Sequence, residues 1–121
     1  MPTSRRTSAL QALFWAACSV VTVLSLLPGP YLPQAAFDVW DKAQHAGAFL
    51  VLGLIGLPAF ARHERRVVLG LLACGAAIEF AQAATGWRYG DWQDWVADAV
   101  GVVVAWVVWV GWRARRAGTM D

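Results

Sequence analysis

Four long apolar runs, joined by short polar connections, constrain this chain more than any other feature. They cover residues 9–27, 46–61, 67–84 and 95–112. A helix needs about 20 residues to cross the hydrocarbon core of a bilayer, with a range near 17–25. Each run approaches that length. The second is the shortest, and Gln44 and His45 extend it into the headgroup layer. Pro58 should kink it or end it near the opposite surface. A soluble bundle fails on number, because four helices apolar all round cannot all be central in 121 residues. Composition agrees: 15% of residues are charged, against about 25% in an ordinary soluble domain.

The expected fold is therefore all-α. One domain, residues 1–121, forms a polytopic membrane bundle of four transmembrane helices at about 9–27, 45–61, 67–85 and 94–112. Residues 28–44 are an outer linker opening on Pro28-Gly29-Pro30, long enough to lie on the membrane as a small lid. The first run follows Arg5 and Arg6, as the core of a signal peptide would. No small-x-small cleavage site follows Leu27, and a retained helix is expected.

Charge sets the orientation. Alternating the ends puts Arg5, Arg6, Arg62, Arg65, Arg66, Arg113, Arg115 and Arg116 on one side, with Glu64 and Asp121. The other side holds only Lys42 and Arg88 as cations, with Asp38, Asp41, Glu79, Asp91, Asp94 and Asp98. The sides carry +6 and −4, which recover the net +2. Short cytoplasmic loops carry the excess of Lys and Arg, so both termini are expected in the cytoplasm of a bacterial inner membrane. Trp40, Trp87, Trp92 and Trp95 then fall near the outer interface, and Trp109 and Trp112 near the inner one.

Several function classes drop out. The basic residues form no reader helix, so no nucleic-acid partner is expected. Cys18 and Cys74 lie inside apolar runs and read as small hydrophobes. A transport pathway needs polar groups across the membrane or gates near its midplane, whereas here the inner halves of the helices are apolar.

What remains is a polar constellation on the outer side. Asp41 and His45 are four apart and share a helix face, with Lys42 beside them. Glu79 and Gln82 are three apart in the third helix. Glu79 lies roughly 9 Å below Thr85 at about 1.5 Å per residue. A carboxylate at such depth costs on the order of 2–3 kcal/mol and normally faces protein or a wet cavity. Arg88 precedes Asp91, Asp94 and Asp98, which continue through Gly101 and Ala105 as one stripe. Small residues let another helix approach closely, so this stripe should face inward, towards Glu79 and His45. Asp91 is its weakest member and reads also as a helix cap or a residue in water. Arg88 is expected to pair with Asp91 or Asp94, and Glu79 to bond His45 or the neighbours of Gln82. So many carboxylates raise each other's pKa. Three forms of relief stay open: the local cations, bound protons, or a metal ion. No helix carries a compact ligand motif, so neither metal nor other cofactor is assigned.

Asp41-Lys42-x-x-His45, then Glu79-x-x-Gln82, then Arg88 with Asp94 and Gly101, together resemble the VanZ-like family. Each motif alone is weak; their order, spacing and common membrane face make the match specific. The resemblance runs from about Asp41 to about Ala105. It departs at Asp98, where the family usually carries Asn. It implies a membrane protein of the cell envelope linked to glycopeptide (teicoplanin) tolerance, and it supplies no reaction.

The expected site is thus Asp41, Lys42, His45, Glu79, Gln82, Arg88, Asp94 and Asp98. The leading reading is a protein that binds a ligand or partner there: membrane lipid, an envelope lipid precursor, or a glycopeptide. One alternative is a small intramembrane hydrolase or transferase, weakened because no Ser or Cys lies at the depth of His45. Another is a structural or assembly subunit, since Ala73, Ala77 and Ala81 form a close-packing stripe. The sequence leaves the oligomeric state open.

Overall fold

A computed structural model describes residues 2–120 of the chain; Asp121 and the side chain of Asp38, both counted in the charge balance, lie outside the described residues. Helix α1 covers Pro2–Leu26. It starts earlier than the apolar run because nothing between Thr3 and Ser8 breaks a helix and proline is tolerated in a first turn. The Pro28-Gly29-Pro30 segment stops it. A 3₁₀ turn, Gly29–Tyr31, and a short helix α2, Ala35–Asp38, then cross to α3, Asp41–Ala59. Helix α3 starts at Asp41, whose carboxylate suits the positive end of a helix, and ends one residue after Pro58. Helix α4 is Glu64–Thr85, closed by Gly86 in the left-handed region at φ 82°. Helix α5, Trp92–Gly118, continues past its apolar run with Arg115 and Arg116 in its last turn, where cations meet the negative helix end.

Among the described residues, three helices are long and apolar enough to cross a membrane: α1 from Ser4, α4 and α5. Helix α3 falls short because Asp41, Lys42, Gln44 and His45 take up its beginning.

Side-chain ties fix how the helices run. Gln11 Nε2 donates to the Ala59 carbonyl at 3.2 Å. Trp109 Nε1 donates to Glu64 Oε1 at 2.9 Å, and Arg113 pairs with the same carboxylate. The start of α1, the end of α3, the start of α4 and the end of α5 thus lie together, and the eight arginines gather at that end. The other end holds the acidic stripe.

Helices α3 and α5 form the most extensive pair, although they are not consecutive; α1 lies against α3 and α4 against α5. The reason is glycine. A Cβ on Gly101 would collide with the Ala46 carbonyl oxygen and stand 2.8 Å from the Leu50 nitrogen. Phe14, Phe49, Leu52, Leu71, Ile78 and Val102 fill the core. The outer faces stay apolar: Val103 and Val107 of α5, Leu69 of α4, and Phe80 at 77% exposure. Apolar surface on this scale marks a membrane-facing or partner-facing exterior. Ala73 and Ala77 also point outward, so the alanine stripe does not serve packing inside the chain.

Candidate functional site

At the end away from the arginines, the starts of α3 and α5 meet the ends of α1 and α4. On α5 the buried residues are Asp94, Ala97, Asp98, Gly101, Val102 and Ala105, one face turned to the bundle. Contact at Gly101 brings Asp98, at 0% exposure, against His45. His45 Nδ1 lies 2.9 Å from Asp98 Oδ1 and 3.9 Å from Glu79 Oε1. Its other nitrogen, Nε2, lies 3.5 Å from Asp94 Oδ2 and 3.9 Å from Asp41 Oδ1. One imidazole therefore faces four carboxylates. Two of them, Glu79 and Asp98, lie on one side, and two, Asp41 and Asp94, on the other.

Lys42 neutralises the second side. Its ammonium donates to Asp94 Oδ1 at 2.9 Å and Asp91 Oδ2 at 3.1 Å. Here the sequence expectation is corrected: among the described residues Lys42, not Arg88, pairs with Asp91 and Asp94. Lys42 lies on α3 directly across from α5, whereas Arg88 sits in the α4–α5 turn, held by its backbone N–H to Thr85 Oγ1 at 3.2 Å.

Asp91 proves central. It caps α5 by accepting the Gln93 N–H at 2.9 Å. That bond first, and the Lys42 ammonium second, hold its carboxyl below the usual carboxylate range. Its own N–H donates to Glu79 Oε2 at 2.9 Å. Glu79 thus takes its hydrogen bond from the loop instead of from His45 or the neighbours of Gln82. Gly90 makes this reach feasible, since a Cβ there would stand 2.6 Å from the Glu79 carbonyl oxygen.

Gln82 faces α1, donating from Nε2 to the Ser25 carbonyl at 2.9 Å. Trp87 Nε1 donates to the Leu26 carbonyl at 2.9 Å. These two bonds lash the end of α1 to the site. Sequence reasoning missed them because their acceptors are backbone atoms, which leave no signature in residue identity. It also missed Gln44, whose Nε2 pins the linker through the carbonyls of Ala36 at 2.9 Å and Val39 at 2.6 Å. Trp95 donates to the Leu72 carbonyl at 2.9 Å, bridging α5 to α4.

Three buried oxygens find no hydrogen-bond partner among the described residues: Glu79 Oε1, Gln82 Oε1 and Asp98 Oδ2. Buried polar atoms are normally paired; two of these three belong to Glu79 and Asp98, whose carboxylates face His45 Nδ1.

Beside them opens a cavity of about 610 Å³. His45, Gln82 and Asp94 form its polar floor, Val21 and Leu24 of α1 one apolar wall, and Leu32, Phe37 and Val39 of the linker another. Arg88 and Tyr89 stand at its edge. The lining is thus polar on one side and apolar on the other.

A family model described as VanZ/LLP1 matches residues 5–113 of the chain. No match was found among curated proteins or among solved structures.

Proposed function

The chain belongs to the VanZ/LLP1 family, and on that premise we propose that it is a four-span protein of a bacterial inner membrane that binds an envelope amphiphile at its outer face. In this reading α3 completes the bundle as the second span, with its polar first turn in the outer headgroup layer. Both termini lie in the cytoplasm with the eight arginines, as the positive-inside rule requires.

The observation that carries the reading is the amphipathic cavity, polar at His45, Gln82 and Asp94 and apolar along α1 and the linker. Its volume falls in the range of about 300–1,000 Å³ typical of small-molecule sites. The ligand is the head and first apolar segment of a lipid-linked wall precursor or other membrane lipid bearing a cationic or cation-bridged group. Glycopeptide tolerance would follow if the same cavity takes the antibiotic or alters the precursor it targets.

Two outcomes are expected. A cysteine placed at Tyr89, which is 92% exposed, in a variant lacking Cys18 and Cys74, labels with an impermeant reagent from outside intact cells. A cysteine at Gly118 labels only after permeabilisation; the reverse pattern would overturn the orientation. In reconstituted protein, a fluorescent lipid-linked wall precursor binds the wild type and binds Asp94→Ala/Glu79→Ala at least about tenfold more weakly, the loss of about 1.4 kcal/mol. Equal binding by both proteins would remove the site from the reading, and labelled glycopeptide in the same assay separates the two ligands.

A further inference from the structure

We propose that His45, Glu79 and Asp98 hold one divalent metal cation, bound through His45 Nδ1, Glu79 Oε1 and the Asp98 carboxylate. The three side chains come from α3, α4 and α5, and their ligand atoms all lie within 4.8 Å of one another. His45 Nδ1 is 2.9 Å from Asp98 Oδ1 and 3.9 Å from Glu79 Oε1. Metal bonds of about 2.0–2.2 Å put neighbouring ligand atoms roughly 3–3.6 Å apart; relative to His45 Nδ1, Glu79 Oε1 must close in by a few tenths of an ångström.

The unpartnered oxygens point to the ion. Glu79 and Asp98 are both more than nine-tenths buried, and each keeps one oxygen without a hydrogen bond. Lys42 is committed to Asp91 and Asp94 and does nothing for this pair. A proton shared between the two oxygens would offset only one of the two charges. A divalent ion satisfies both and offsets both charges. With Nδ1 on the metal, the imidazole proton sits on Nε2, 3.5 Å from Asp94 Oδ2. Metal-bound histidines commonly direct their second nitrogen at a carboxylate in this way.

Asp41 and Asp94 form a second set with Nε2. It is the weaker candidate, because Asp94 already accepts from Lys42 and Asp41 is exposed. One histidine with two carboxylates suits Zn²⁺ or Mn²⁺. The ion would lie behind His45, whose ring lines the cavity floor. The inference therefore deepens the binding reading above and shares its site.

The test uses the full chain purified in detergent, stripped with a chelator and titrated with Zn²⁺ or Mn²⁺ alone. One ion per chain is expected, with a rise in the thermal unfolding temperature. Glu79→Gln and Asp98→Asn should each weaken binding by more than the roughly 10–100-fold seen when only a hydrogen-bond partner of a ligand is removed. The metal-free Glu79→Gln variant should unfold no earlier than the metal-free wild type, since it loses one of two facing like charges. Asp41→Asn should bind as the wild type does. Absence of stoichiometric binding, full binding by Glu79→Gln, or loss of binding in Asp41→Asn would each overturn the assignment. Precursor binding by the chelator-stripped protein is read separately, so failure of the metal site and failure of the amphiphile reading are distinguishable.

Discussion

Gly101→Leu is expected to destabilise the protein by about 3 kcal/mol, the upper part of the usual range for overpacking a filled interior. A side chain at this position meets backbone and not a movable side chain. Its Cβ would strike the Ala46 carbonyl oxygen, and Leu50 N lies 2.8 Å away. Relief requires α3 and α5 to part along the most extensive contact of the bundle. Gly70 and Gly111 supply the controls, because nothing stands within 4 Å of a Cβ at either. Gly70→Leu and Gly111→Leu should stay within about 0.5 kcal/mol of the wild type, as surface substitutions usually do. Thermal unfolding in one detergent compares the three. If Gly101→Leu unfolds with the other two, α3 and α5 do not meet at Gly101. The same variant should also impair ligand binding, since parting these helices withdraws Asp98 from His45.

The glycine contact shows which parts of this molecule were legible in its sequence. Apolar run length is visible in residue identity, and it indicated a helical, membrane-type chain. The stripe of Asp94, Asp98, Gly101 and Ala105 was legible too, because helical periodicity and small side chains both appear as letters. The number of spans was not, since α3 mixes a polar beginning with an apolar remainder and its status depends on depth in a bilayer. Ion pairing was misread for a related reason. Arg88 stands closer in sequence to Asp91 and Asp94, but Lys42 faces them across the α3–α5 contact. Backbone partners were hidden altogether. The Asp91 N–H on Glu79 and the Ser25 carbonyl on Gln82 exist only because Gly86, Gly90 and the Pro28 stop turn the chain back on itself. Connectivity predicts neighbours along the chain; the Lys42–Asp94 and His45–Asp98 contacts join α3 and α5, which are not neighbours along it.

His45→Leu tests that convergence directly. In chelator-treated protein this variant is expected to lose about 3 kcal/mol of stability. Two magnitudes compete. Deleting one partner of a buried charged pair in a soluble interior costs about 3–5 kcal/mol, because the other charge is stranded. Polar contacts between membrane helices average nearer 0.6 kcal/mol and reach about 1.7, because the separated helices find other partners. Asp98 decides for the larger figure. It is completely buried, its one hydrogen bond among the described residues is to His45, and Lys42 is engaged elsewhere. The pair should therefore be strongly non-additive. His45→Leu/Asp98→Leu should be more stable than His45→Leu alone, because the double variant removes the stranded carboxylate and fills the space with apolar atoms. A double variant that loses the sum of the two single losses would mean that His45 and Asp98 act independently. The centre of the polar site would then have to be sought on the Asp41–Asp94 side of the imidazole.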